Sequence, residues 1–138
     1  MQEFQDAVLA RDASAIEALL ADEVVFTSPV AFAPYVGKPI TAAILRGVLR
    51  VFEDFRYVRT ISSTDGRDHV LVFEATVGGK VVNGCDILHL DERGFIDDFV
   101  VMVRPLSGAQ ALAAAMALAL EAPRMADRQR TRAAACSV

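Results

Sequence analysis

No stretch of this 138-residue chain approaches the roughly 18 consecutive apolar residues that a membrane-spanning helix requires. The amino terminus, Met1-Gln2-Glu3-Phe4-Gln5-Asp6, lacks the basic opening of a secretory signal. The expectation is a soluble, cytoplasmic protein. Only two cysteines are present, Cys85 and Cys136, and their separation fits neither a CxxC pair nor a metal-ligand pattern, which argues against a disulfide framework or a zinc site. Neither a Walker loop nor a glycine-rich dinucleotide loop occurs, so no organic cofactor and no metal are expected. Internal repeats and interdomain linkers are also missing, and the length suits one domain with a real core.

What is present is apolar and unevenly charged. The hydrophobic fraction of 54% exceeds the ordinary range, much of it alanine. The net charge is −4, but residues 122–138 carry Arg124, Arg128, Arg130 and Arg132 against Asp127, a local +3 that leaves −7 on residues 1–121. An acidic body of that kind argues against nucleic acid as the main partner. The division expected is a folded domain over 1–121 and a basic, mobile tail over 122–138.

Helical spacing dominates the first third. Phe4, Ala7 and Val8 lie one turn apart, and Asp12 is placed to cap a second helix presenting Ala15, Ile16, Leu19 and Leu20. Val24-Val25-Phe26 reads as a strand that enters a loop from Ser28 to Gly37. A third helix follows Pro39, with Ile44, Leu45, Val48, Leu49 and Phe52 on one side. From Phe55 the period changes to two, and turn signals at Asp65-Gly66, Gly78-Gly79 and Asp91-Glu92-Arg93-Gly94 divide the chain into strands near 55–63, 68–77, 80–90 and 95–104. Ser107 is expected to cap a last helix that runs to about Glu121. Helices followed by a meander imply an α+β fold, its helices packed on one face of a mostly antiparallel sheet.

The Gly78-Gly79 turn fixes a register. A two-residue type I′ turn sets Val77 opposite Lys80, and counting back sets Ala75 opposite Val82, Phe73 opposite Gly84 and Leu71 opposite Asp86. Opposed residues share a face, so Asp86 lies with Leu71, Phe73, Ala75, Val82, Gly84 and Leu88, the one acid on the more apolar side. A lone carboxylate in an apolar wall is costly unless it is paired or takes up a proton, which makes it a candidate for acid–base chemistry. His69 falls opposite Leu88, a diagonal neighbour of Asp86. The other side carries Glu74, Thr76, Asn83, Cys85, Ile87 and His89.

The order of elements, with Gly84-Cys85-Asp86-Ile87-Leu88 leading into Gly94-Phe95-Ile96-Asp97-Asp98-Phe99, resembles the nuclear transport factor 2-like superfamily over about residues 1–121. That group includes ketosteroid isomerases, SnoaL-type polyketide cyclases and limonene epoxide hydrolases. The resemblance implies a curved sheet wrapped around helices, a cone-shaped pocket and a homodimer formed through the sheet's outer face. In ketosteroid isomerases a strand carboxylic acid kept neutral by its apolar site donates a hydrogen bond to the developing oxyanion. Asp86 looks like that acid. Ser28, before Pro29-Val30, stands where those isomerases carry their base, and residues 1–11 contain no tyrosine for their second donor. SnoaL-type cyclases pair a strand Asp with a His, parts that Asp86 and His69 would take. The arginine-bridged carboxylates of limonene epoxide hydrolases have no counterpart around Asp86.

The candidate catalytic residues are therefore Asp86 and His69, with Tyr35, Ser28, Phe73, Leu71 and Leu88 as candidate ligand-binding residues. Tyr35 would either meet a ligand or pack beneath its loop, and Ser28 would either orient a ligand or close a turn. Tyr57, on a strand of ambiguous register, ranks below them. Asp97 and Asp98 point to opposite faces and so cannot chelate one ion; an exposed edge or a pairing with Arg93 or Arg104 is expected. Three functions are compatible. The first is a cofactor-free isomerase or cyclase acting on a small, largely apolar molecule. The second is a non-catalytic binder of a small hydrophobic ligand. The third is an interaction domain that dimerises through an outer face containing Cys85, Ile87 and Val101 or its neighbours.

Overall fold

The structure, a computed structural model, describes residues 1–135, with side chains described for residues 1–120. Two short helices open it, α1 (Gln2–Leu9) and α2 (Ala13–Ala18). The Asp12 carboxylate accepts a hydrogen bond from the Ala15 amide at 3.1 Å, satisfying one of the free N–H groups that any helix start leaves. Strand β1 (Leu20–Thr27) follows, then β2 (Tyr35–Val36) and helix α3 (Lys38–Val51). Next come β3 (Glu53–Ser62), β4 (Asp68–Val77), β5 (Lys80–Leu90), β6 (Ile96–Arg104) and helix α4 (Leu106–Ala135). Among the described residues, no helix is long and apolar enough to cross a membrane.

The six strands form one curved open sheet in the order β2-β1-β6-β5-β4-β3. The meander from β3 to β6 is antiparallel, and Val77↔Lys80, Phe73↔Gly84 and Leu71↔Asp86 pair as the two-residue turn requires. Both turn glycines take positive φ, 55° at Gly78 and 78° at Gly79, the backbone that a type I′ hairpin needs. Sequence patterning did not disclose two connections. Strand β1 lies parallel to β6, and the loop expected over 28–37 contains the two-residue edge strand β2, with Tyr35 opposite Phe26.

Two further expectations are corrected. Leu20 begins β1 instead of ending the helical face before it. Ser107 lies inside the first turn of α4 instead of capping it, because the Pro105 carbonyl already accepts from the Ala109 amide at 2.9 Å. Helix α4 also continues to Ala135, past the end expected near residue 121. The basic tail expected over 122–138 lies outside the residues whose side chains are described.

Helices α1, α3 and α4 cover the concave face and complete a core with Phe4, Phe26, Leu71, Phe73, Leu88, Phe99 and Leu112. Gly84 is needed there for want of a side chain. A Cβ on it would lie 2.3 Å from Cζ of Phe73, so the Phe73 ring lies flat across the strand only because position 84 is glycine. The convex face carries a polar row across four strands. Arg56 pairs with Glu74, the Asn83 amide donates to Glu74 at 3.2 Å, and Arg104 donates to Asn83 at 3.2 Å. Beside that row run Val72, Cys85 and Met102, then Val70, Ile87 and Val100, each set paired across β4, β5 and β6.

Candidate functional site

The helices do not fill the concavity. They leave a cavity of about 830 Å³, counted with its open mouth, between α1, α3, α4 and the sheet. Six of the eight phenylalanines line it: Phe4, Phe26, Phe52, Phe55, Phe73 and Phe99. Their rings fix one another, Phe55 stacking on Phe73 with centroids 4.9 Å apart and Phe99 meeting Phe4 edge-on at 5.6 Å. Such a wall recognises shape and apolar surface. Polar recognition falls to the few groups that interrupt it.

Asp86 is the one carboxyl among the lining residues, and it is 7% exposed. Strand alternation places it there, since its neighbours Cys85 and Ile87 point to the convex face. Val101, opposite Asp86 on β6, lines the same cavity, so of the alternatives on β6 it is its neighbours Val100 and Met102 that lie on the outer face. Burial alone pushes the Asp86 carboxyl up from 3.8 to about 7, with no neighbouring charge or hydrogen bond contributing. The group is consequently poised between acid and base near neutral pH.

The other candidates scatter. Ser28 reaches the cavity with Pro29 and Val30, but its hydroxyl accepts from the Val30 amide at 3.1 Å and closes the turn. Phe73 lines the wall. Leu71 and Leu88 are buried in the core and do not line the cavity. Tyr35 is half-buried on the edge strand and packs against the core without lining the cavity either.

His69 shares the face of Asp86, yet its ring is held at the hairpin end. Nε2 lies 2.8 Å from the Gly66 carbonyl and Nδ1 lies 2.7 Å from Oγ of Ser62. A carbonyl only accepts, so Nε2 carries a proton, and both nitrogens are occupied away from the cavity. The structure therefore does not bring His69 to Asp86 as a partner. His89 is on the convex face and is held by Asp97 at 2.6 Å, in place of the Arg93 or Arg104 pairing expected for that acid. This contact raises the His89 imidazole above its ordinary value.

Two residues gain weight from the structure. The Tyr57 hydroxyl is buried and has no hydrogen-bond partner. Tyr57 pairs with Phe73 across β3 and β4 and meets Phe55 edge-on at 5.0 Å, which puts its ring on the concave face. Burial, and then the charge of Asp86, drive its phenol well above the ordinary range, so it stays a neutral donor. A shift in pairing between Tyr57 and Arg59 hides this from the alternation of the sequence. The second residue is Arg11, the one cation among the described residues that line the cavity. Its position between two helices gave no signal, because its side chain reaches 38 and 41 residues along the chain to carbonyls at the end of α3. Among the described residues, no three His, Cys, Asp or Glu side chains converge where a metal ion could be held.

Comparison with known proteins agrees with this architecture. The SnoaL-like domain family matches residues 1–99. A steroid delta-isomerase from Pseudomonas aeruginosa is 44% identical, with a TM-score of 0.87 over 90% of each chain. An uncharacterized protein conserved in bacteria with a cystatin-like fold, from Silicibacter pomeroyi, is 34% identical, with a TM-score of 0.80 over 95% of this chain and 89% of that one. A nuclear transport factor 2-like protein of unknown function from Cytophaga hutchinsonii is 21% identical, with a TM-score of 0.59 over 75% and 86%, a likeness of fold alone. No curated protein matches the chain.

Proposed function

This chain belongs to the SnoaL-like domain family, and within it we propose an acid–base enzyme that shifts a double bond, or closes a ring, in a small and largely apolar carbonyl compound. One observation carries the reading: the sole carboxyl among the described residues of a phenylalanine-lined cavity is held by burial at about 7. Ionised Asp86 takes a proton from the carbon next to a carbonyl, and the electron pair moves into the enolate. Asp86 then returns the proton to the far end of the conjugated system, so the double bond moves and the carboxylate is regenerated. Among the described residues lining the cavity no other carboxylate and no imidazole is present, and Ser28 is a neutral hydroxyl closing its turn. Tyr57 acts as a positioning residue. Its hydroxyl is a buried donor without an acceptor, set outside the cavity lining yet near enough to Asp86 for the charge of that carboxyl to act on it.

The test is a panel of β,γ-unsaturated ketones, a steroid among them, followed by the ultraviolet absorbance of the conjugated product. Asp86→Asn is expected to lower turnover by about 100-fold or more, the range for loss of a general base. Tyr57→Phe should lower it less, and kcat/KM of the wild type should rise as pH increases through about 7, where Asp86 ionises. Unchanged turnover in Asp86→Asn would remove the carboxyl from the chemistry. Binding without turnover in the wild type would favour a non-catalytic ligand carrier, which a cavity with one carboxyl also serves.

We infer a homodimer as the working assembly, formed through the convex face. Its apolar rows are flanked by the Arg56-Glu74-Asn83-Arg104 row at one end of the strands and by Asp68, His89 and Asp98 at the other. A second copy turned about an axis across the strands lays the arginine end of one sheet over the acidic end of its neighbour.

A further inference from the structure

Arg11 closes helix α1. Its φ is 54°, the left-handed backbone of a helix end in which the Arg11 amide donates to the Val8 carbonyl at 3.0 Å and the Asp12 amide to the Ala7 carbonyl at 2.9 Å. The side chain is held separately. One terminal guanidinium nitrogen donates to the Leu49 carbonyl and the other to the Phe52 carbonyl, each at 3.1 Å. The fork is thereby clamped against the end of α3, and Leu49 and Phe52 both line the cavity beside Arg11. A guanidinium has five N–H donors. Two are used, and among the described residues no carboxylate pairs with Arg11.

We propose that Arg11 is an anion-reading residue at the mouth of the cavity, and that the molecule bound there carries an anionic oxygen at one end of an apolar body whose other end reaches Asp86. Three features support it. Arg11 is exposed whereas Asp86 is buried, which places one at the rim and the other at depth. The two charges do not act on each other, since burial is the only cause of the shifted Asp86 carboxyl. Between them the lining is almost wholly apolar, with Phe52 and Phe73 in ring contact, centroids 5.5 Å apart, along the way. A preoriented guanidinium that keeps free donors binds a carboxylate or sulfonate with little loss of side-chain freedom.

The inference rests on the cavity being a ligand site, and not on catalysis at Asp86. The experiment uses two fluorescent probes of nearly the same shape, 1-anilinonaphthalene-8-sulfonate and its neutral parent N-phenyl-1-naphthylamine. Both are titrated against the wild type, Arg11→Asn and Arg11→Lys, with circular dichroism checking each fold. Asparagine accepts left-handed backbone and removes the charge, whereas lysine keeps it. The expected result is an about tenfold weaker Kd for the sulfonate in Arg11→Asn, with the neutral probe within about twofold and most sulfonate affinity kept in Arg11→Lys. Equal losses for both probes would show that Arg11 only braces α3 and would overturn the proposal. So would an unchanged sulfonate affinity. Failure of the wild type to bind either probe would sink the ligand-site reading itself, and the proposal with it.

Discussion

The buried carboxyl should set how the stability of this fold depends on pH. Asp86 is raised from 3.8 to about 7 when folded. Below the lower value it is protonated in both states and costs nothing. Between the two values the folded state holds the proton more tightly than the unfolded chain, so stability falls as pH rises. Above about 7 the fold carries the full penalty of a buried carboxylate, which at 1.36 kcal/mol per pH unit is about 4 kcal/mol. That is a large part of the roughly 5–15 kcal/mol typical of a domain. Asp86→Asn removes the titration while keeping the shape. The variant should match the wild type within about 1 kcal/mol at pH 4 and exceed it by about 4 kcal/mol at pH 8.5. With a urea slope near 2 kcal/mol/M, the two midpoints should separate by about 2 M at the higher pH and nearly coincide at the lower. His89, raised by Asp97, also contributes stability that is lost as pH rises, and Glu74, lowered by Arg56, contributes stability that is lost in acid. Both are common to the two proteins and cancel in the difference. Urea unfolding followed by circular dichroism gives the numbers. A gap that stays constant from pH 4 to 8.5 would refute the assignment of Asp86 to a dry site.

Two other outcomes follow from the packing. Gly84→Ala places a methyl 2.3 Å from the Phe73 ring, so the ring must shift; the fold should lose about 1–3 kcal/mol, and urea midpoints of Gly84→Ala with and without Phe73→Leu should show the second change recovering part of the loss. Sedimentation equilibrium should give twice the chain mass for the wild type and the chain mass for Met102→Glu, which sets a charge in the middle of the exposed convex rows. A wild type that sediments at the chain mass would exclude the dimer.

What could be read from the residues alone divides according to how local its cause is. The hairpin register was legible because Gly78-Gly79 sets Val77 against Lys80 with only two residues between them, and alternation then carries the face outward to Asp86. The pairing of β1 with β6 is about seventy residues long-range, and no turn residue encodes it. His69 shows a finer limit. Register places its Cα beside that of its diagonal neighbour, but the direction of the ring is decided by Ser62 and Gly66, polar partners nearer than Asp86. Alternation thus identifies which wall a side chain belongs to, not what it reaches along that wall. Tyr57 fails for the opposite reason, since a shifted pairing on β3 breaks the alternation from which its face would be counted. Arg11 is the extreme case, because its left-handed backbone is set locally by the end of α1, whereas its fork on Leu49 and Phe52 exists only once α3 has docked. The acid at depth was therefore readable in sequence, and the groups that would give it a substrate were not. Apolar periodicity builds the walls of such a cavity, but its polar contacts come from side chains that depart from that periodicity.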